Sequence, residues 1–151
     1  MPALAEGNAP AGTLLGDVAR RWGLSEGVVV AAGAGDNAAA AVGTGVVRDG
    51  TAFTTIGTSG VVFAHTDKLR LDPKGSVHSF CCALPVVWHV MGVTQSSGLS
   101  LQWFRNNFYP EDSEYAQINR DAASIGIVAD RLIYTPYLMG ERTPHLDADC
   151  R

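Results

Sequence analysis

Asp36 heads the stretch DNAAAAVGTG, a single acid among alanines and glycines. A carboxylate so placed suits two tasks. It can cap a helix, accepting the next amides and complementing the positive helix end. It can also take a proton from a hydroxyl, in a space that small neighbours leave open. A capping carboxylate has a low pKa and is a weak base. Such a base fits phosphoryl transfer to an alcohol, where a loose transition state asks chiefly for orientation. By spacing alone, the cap is the simpler reading.

Two further stretches carry polar groups in small or constrained settings. GTSG, residues 57–60, reads first as a tight hairpin turn. It also suits a phosphate cradle, because glycines let backbone N–H groups approach an anion while Thr58 and Ser59 add hydroxyl donors. GERTPH, residues 140–145, places Glu141, Arg142 and His145 within six residues, with Pro144 constraining the backbone. It reads as a surface turn with a local ion pair, or as a loop offering donors to an anionic or polyhydroxy ligand. His65, His78 and His89 are scattered among strand patterns and read as structural.

Competing motifs fail. No G-x-x-x-x-G-K-[ST] sequence is present, so the P-loop is unsupported. GAGDNA, residues 33–38, has Ala38 where the dinucleotide fingerprint needs a third glycine, and no partner acid follows at the usual distance. A dinucleotide-binding reading is the weaker alternative.

The elements that must position these residues follow from periodicity. Residues 1–12 read as an irregular lead-in and Thr13 as the cap of a helix with Leu15, Val18 and Trp22 on one face, ended by Gly23. GVVVAAG, residues 27–33, reads as a buried strand, with a helix starting at Asp36 and Asn37. TAFTTIG and VVFAHT read as a hairpin closed by GTSG, and SVHSFCCAL and VVWHVMGV as two more strands broken near Pro85. GLSLQWFRNNF reads as a helix carrying Leu101, Phe104 and Phe108, stopped by Pro110. Residues 111–126 read as a more polar helix, and RLIYTPYLMGERTPH as a strand passing into a loop. Helix, strand, helix, a block of four antiparallel strands, then helices make an α/β or α+β arrangement.

Composition bounds the class. The 151 residues are 46% hydrophobic and 17% charged, which is globular and enough for one domain or a large piece of one. A net charge of −4 leaves no basic footprint for nucleic acid, and no apolar run is long enough to span a bilayer. Cys81, Cys82 and Cys150 form no disulfide framework and no C-x-x-C pair. The N-terminal residues lack the pattern of a secretory signal, so the cytoplasm is the expected compartment.

In chain order, GAGDNAAAAVG, FTTIGTSGVVF, GLSLQWF and PYLMGERTPH resemble the xylulokinases of the FGGY carbohydrate kinase family. The resemblance covers nearly the whole chain. It implies a ribonuclease H-like fold of the actin and hexokinase type, with ATP and sugar bound between two domains. It further implies that Asp36 is the catalytic base and that Asn37 contacts sugar hydroxyls. Gly57, Thr58, Ser59, Gly98 and Gln102 match the nucleotide side, and Glu141 and Arg142 a loop near the cleft. ATP carrying Mg²⁺ and a small sugar are the implied ligands, with D-xylulose the expected acceptor. The family's D-x-G-T-[ST] phosphate motif has only a distant echo at Asp49-Gly50-Thr51, and its later adenosine motif has no match. The expectation is a central fragment: residues 1–45 ending a first domain and residues 46–151 beginning a second. Strands cut from their neighbours would favour a homo-oligomer.

Overall fold

The computed structural model describes residues 3–125 and 131–150. Two compact units comprise, first, Met1–Phe53, Phe63–Pro73 and His78–Met91, and second, Thr54–Val62, Lys74–Val77 and Gly92–Arg151. The described elements mix helices and strands, as expected. Strands β3 (Ala52–Ile56), β4 (Gly60–Thr66), β5 (His78–Cys81) and β6 (Trp88–Thr94) form one sheet in the order β3-β4-β6-β5.

The first unit opens on β1 (Pro10–Thr13), α1 (Gly16–Arg21) and β2 (Val29–Ala31). Here three expectations need correction. The end of the lead-in is a strand, antiparallel to β2, with Thr13 opposite Val29. Thr13 therefore does not cap α1; Leu15 holds that position and gives no side-chain bond. Nor is β2 buried: this sheet has only two strands, and Val29 remains 61% exposed.

Helix α2 (Asp36–Gly43) ends as its sequence dictates. Gly45 takes φ +76°, a left-handed conformation that glycine adopts without a Cβ penalty. The Gly45 amide donates to the Val42 carbonyl at 3.1 Å, and the Val46 amide to Ala41 at 2.8 Å. This pair closes the last turn and turns Val46 inward. Val46 joins Ala41 and the fully buried Phe63 in the core, with Phe53 and Cys82 packed against them. Phe63 stacks on Phe53 at 4.8 Å and on His89 at 4.1 Å between ring centroids. Burying such a side chain contributes roughly 1.5–3 kcal/mol. The β5–β6 hairpin is antiparallel, with Phe80 opposite His89 and Cys81 opposite Trp88.

The second unit carries α3 (Gly98–Phe108) and α4 (Tyr115–Ala123). Pro110 forces its predecessor out of helical geometry, and Tyr109 is extended at φ −123°, ψ 154°. Leu101, Phe104 and Phe108 all stay substantially exposed, and α3 buries no side chain. Helix α4 buries Ile118 and is tied to Tyr109, whose hydroxyl donates to Asp121 Oδ2 at 3.0 Å. The expected end of that helix, at Gly126, lies outside the described residues. The strand expected from Arg131 onward does not form: Leu132 and Ile133 are 85% and 84% exposed, and no strand partner runs beside them among the described residues.

Candidate functional site

In the first unit, Asp36 is the first residue of α2, one position inside the cap held by Gly35. This revises the capping assignment by one residue. Its Oδ1 accepts the Asn37 amide at 2.7 Å and the Asn37 side-chain Nδ2 at 3.3 Å. The carboxylate is exposed, at the positive end of the helix dipole. Asp36 and Asn37 together line a cavity of about 500 Å³ whose other walls include Phe80, Cys81, His89 and Met91. Those four were not anticipated. They come from the β5–β6 hairpin, some 45 residues further on, and nothing in local periodicity links that hairpin to the start of α2.

Behind that wall sits a polar cluster. The Cys82 thiol lies 3.6 Å from His65 Nδ1 and 3.7 Å from His89 Nδ1. His65, 2% exposed, also faces Asp67 Oδ1 across 3.3 Å through Nε2. The Nε2 geometry does not complete a hydrogen bond there. Burial raises the Cys82 pKa, and the neighbouring Cys81 raises it further. Burial likewise lowers that of His89, with His65 adding to the effect. A thiol held above its usual pKa by burial is a packed structural group, not an activated nucleophile. Among the described residues, no group of three or more His, Cys, Asp or Glu could hold a metal ion.

In the second unit, residues 57–59 link β3 to β4 and meet the start of α3. The Gly57 carbonyl accepts the Gly98 amide at 2.8 Å. The Thr58 carbonyl accepts the amides of Ser97 at 2.9 Å and Leu99 at 3.3 Å. The first amides of α3, orphaned in any helix, are thus satisfied by the turn. Ser59 donates its hydroxyl to the Gln95 carbonyl at 3.2 Å. The glycines serve close approach rather than unusual torsion. A Cβ on Gly60 would lie 2.9 Å from Ser97 Cβ, and one on Gly98 would lie 2.5 Å from the Gly57 oxygen. The Thr58 and Ser59 amides and the Thr58 hydroxyl have no partner among the described residues, which is the donor set a phosphate needs. Gln102 lies exposed on α3, one turn beyond Gly98.

The GERTPH loop is not a surface ion pair. Glu141 is 5% exposed and accepts the Thr94 hydroxyl at 2.7 Å, the Gln95 amide at 3.1 Å and the Arg142 amide at 2.7 Å. Arg142 is exposed, and its side chain makes no ion pair among the described residues. His145 Nε2 meets the Tyr137 hydroxyl at 2.9 Å.

No protein-family model matches the chain. Solved structures do. A structure described as a xyloylose kinase from Brucella ovis superposes on the whole chain with TM-score 0.88 and 42% identity, using 31% of its own length. A gluconate kinase from Lactobacillus acidophilus gives TM-score 0.91 over 99% of this chain at 23% identity, a likeness of fold alone. The chain is therefore a relative of the carbohydrate kinases. Its curated relatives are more particular. The xylulose kinase of Bacillus subtilis (strain 168) is 42% identical over 150 residues, 99% of this chain, and that of Escherichia coli (strain K12) is 43% identical over 145 residues. It is to xylulose kinases that this chain is homologous, and it spans about 30% of their length.

Proposed function

We propose that the chain carries the acceptor-activating and part of the phosphate-binding machinery of an ATP-dependent D-xylulose kinase. The observation that carries this reading is Asp36. It stands exposed at a helix start, on a roomy cavity, with Asn37 beside it. Asp36 accepts the proton of the sugar hydroxyl as that oxygen meets the γ-phosphoryl group. It needs little basicity, because the proton is lost late. Asn37 offers an amide to neighbouring sugar hydroxyls. The free amides of Thr58 and Ser59 receive nucleotide phosphate, with Gly57, Gly98 and Gln102 shaping that side. Mg²⁺ arrives on the nucleotide, which supplies the phosphoryl group. Arg142, exposed and without an ion pair among the described residues, is available to an anionic ligand.

The architecture that fits is a partial ribonuclease H-like pair of domains, with residues 1–45 closing the first and 46–151 opening the second. No described helix is long and apolar enough to cross a membrane, and a cytoplasmic sugar kinase fits that. Because the chain spans about 30% of its relatives, a second reading is that alone it is folded but non-catalytic, and self-associates.

A chimera tests both readings. This chain replaces the matching segment of the Bacillus subtilis xylulose kinase, and ADP formation is followed with D-xylulose and with gluconate. The expected result is xylulose-dependent turnover that Asp36→Asn lowers by about 10²–10⁴-fold. Undiminished turnover in the variant removes Asp36 as the base. Preference for gluconate reassigns the sugar. Turnover by the isolated 151-residue chain at the chimera's rate overturns the non-catalytic reading.

A further inference from the structure

Glu141 buries a carboxylate where no cation meets it. Among the described residues no lysine, arginine or histidine lies within ion-pair distance. A buried charge without a counter-ion is costly unless hydrogen bonds satisfy it. Here three donors do so: the Thr94 hydroxyl on Oε2, and the Gln95 and Arg142 amides on Oε1. Two of the three belong to Thr94 and Gln95, where β6 ends and the link to α3 begins.

That link also holds the GTSG turn. The Gln95 residue whose amide Glu141 accepts presents its carbonyl to the Ser59 hydroxyl at 3.2 Å. Two residues on, the Ser97 amide reaches Thr58, and the Gly98 amide reaches Gly57. The loop bearing Glu141 is itself fixed. Its backbone pairs with Asp147 in both directions, at 2.7 and 3.0 Å. Thr143 binds Val93 through its amide at 3.1 Å and its hydroxyl at 2.8 Å. Gly140 permits the approach: its φ is +75°, and a Cβ there would sit 2.8 Å from the Ala148 Cα.

We infer that Glu141 is a positioning residue for the GTSG turn, acting through Thr94 and Gln95 to set where the free Thr58 and Ser59 amides stand. Its relevance to nucleotide rests on the kinase reading above. Its effect on the turn does not. A carboxylate with three donors fixes direction in a way an apolar side chain cannot. The glutamate of GERTPH thereby links two motifs that lie more than 80 residues apart.

The test uses the ¹⁵N-labelled full chain and compares Glu141→Ala, Glu141→Gln and Thr94→Val. Amide hydrogen exchange is read at Ser97, Gly98 and Leu99, whose partners are the turn carbonyls. Glu141→Ala is expected to speed exchange there at least tenfold, while the β5–β6 hairpin amides of Ser79 to Cys81 keep their rates. Glutamine can accept both amides through its oxygen and donate to the Thr94 hydroxyl oxygen, so Glu141→Gln is expected to restore most protection. If Glu141→Ala prevents folding, Thr94→Val, which removes one donor, decides by the same amides. Unchanged exchange at the three amides, or acceleration spread equally over the hairpin, overturns the inference. A parallel titration with MgATP reads the Thr58 and Ser59 signals. If these do not move in the wild-type chain, the nucleotide reading of the turn fails, and the exchange rates still decide the role of Glu141.

Discussion

The Gly57 carbonyl accepts the Gly98 amide at 2.8 Å, and a Cβ on Gly98 would stand 2.5 Å from that same oxygen. One contact therefore both ends the orphan state of a helix amide and forbids a side chain at its origin. The obstacle is backbone, which cannot rotate away. Gly98→Ala is expected to destabilise the chain by about 1–3 kcal/mol, the range of an overpacked site. Urea unfolding measures it. A midpoint equal to wild type would mean the turn and helix separate without loss.

Gly43 predicts the opposite sign. Gly43 is the last residue of α2, and a Cβ there meets nothing within 4 Å. Gly43→Ala is expected to stabilise by roughly 0.5–1 kcal/mol through a less free unfolded chain and better helix propensity. Gly140→Ala faces both a positive φ and the Ala148 backbone, and is expected to be destabilising. The two thermal midpoints should move in opposite directions. A shared direction would show that local Cβ space does not govern these positions.

What the sequence made legible was local. The pattern AVGTGV carries its own helix stop, because only a left-handed Gly45 lets the Val46 amide reach back to Ala41. Helix α3 was equally readable, from its period and from Pro110. Errors came where the outcome depended on a partner. Residues 131–134 have strand-forming side chains, yet a strand needs a neighbour to pair with, and Leu132 and Ile133 have none among the described residues. Pro10–Thr13 has weak strand character but finds β2. The same rule holds at the site. The helix start that carries Asp36 was legible in the sequence. The Phe80, His89 and Met91 walls of its cavity were not, because cross-strand pairing brings them there. Glu141 looked like half of an ion pair because sequence shows its neighbour Arg142 and hides Thr94 and Gln95.

Acid and alkali should each destabilise the first unit, for different groups. His89 is held below its usual pKa by burial and by His65. The stability it contributes is present above about 6.5, the ordinary imidazole value, and is lost as pH falls below it. Cys82 is held above its usual value by burial and by Cys81. Its contribution is present below the unfolded thiol value of 9.0 and is lost as pH rises beyond it. Stability should therefore peak between these limits. Urea midpoints across the range check this, with Cys82→Ala expected to flatten the alkaline limb and His89→Gln the acid limb. An acid limb of unchanged slope in His89→Gln would assign it to the carboxylates instead.

Self-association follows from what the sheets leave open. Strand β2 belongs to a two-stranded sheet and exposes Val29 at 61% and Val30 at 44%. By the strand order, β3 is an outer strand of the other sheet, and its Ile56 is 77% exposed. An outer strand with apolar side chains is a template for another strand, and natural proteins blunt such edges with charge. Sedimentation velocity is expected to show the isolated chain shifting to dimer or larger species as concentration rises. A lysine in place of Val30 puts a charge on the open strand and should move the distribution back toward monomer without lowering the urea midpoint. A wild-type chain that stays monomeric at high concentration would show that these edges do not pair. A Val30→Lys chain that associates as strongly as wild type would place the contact elsewhere.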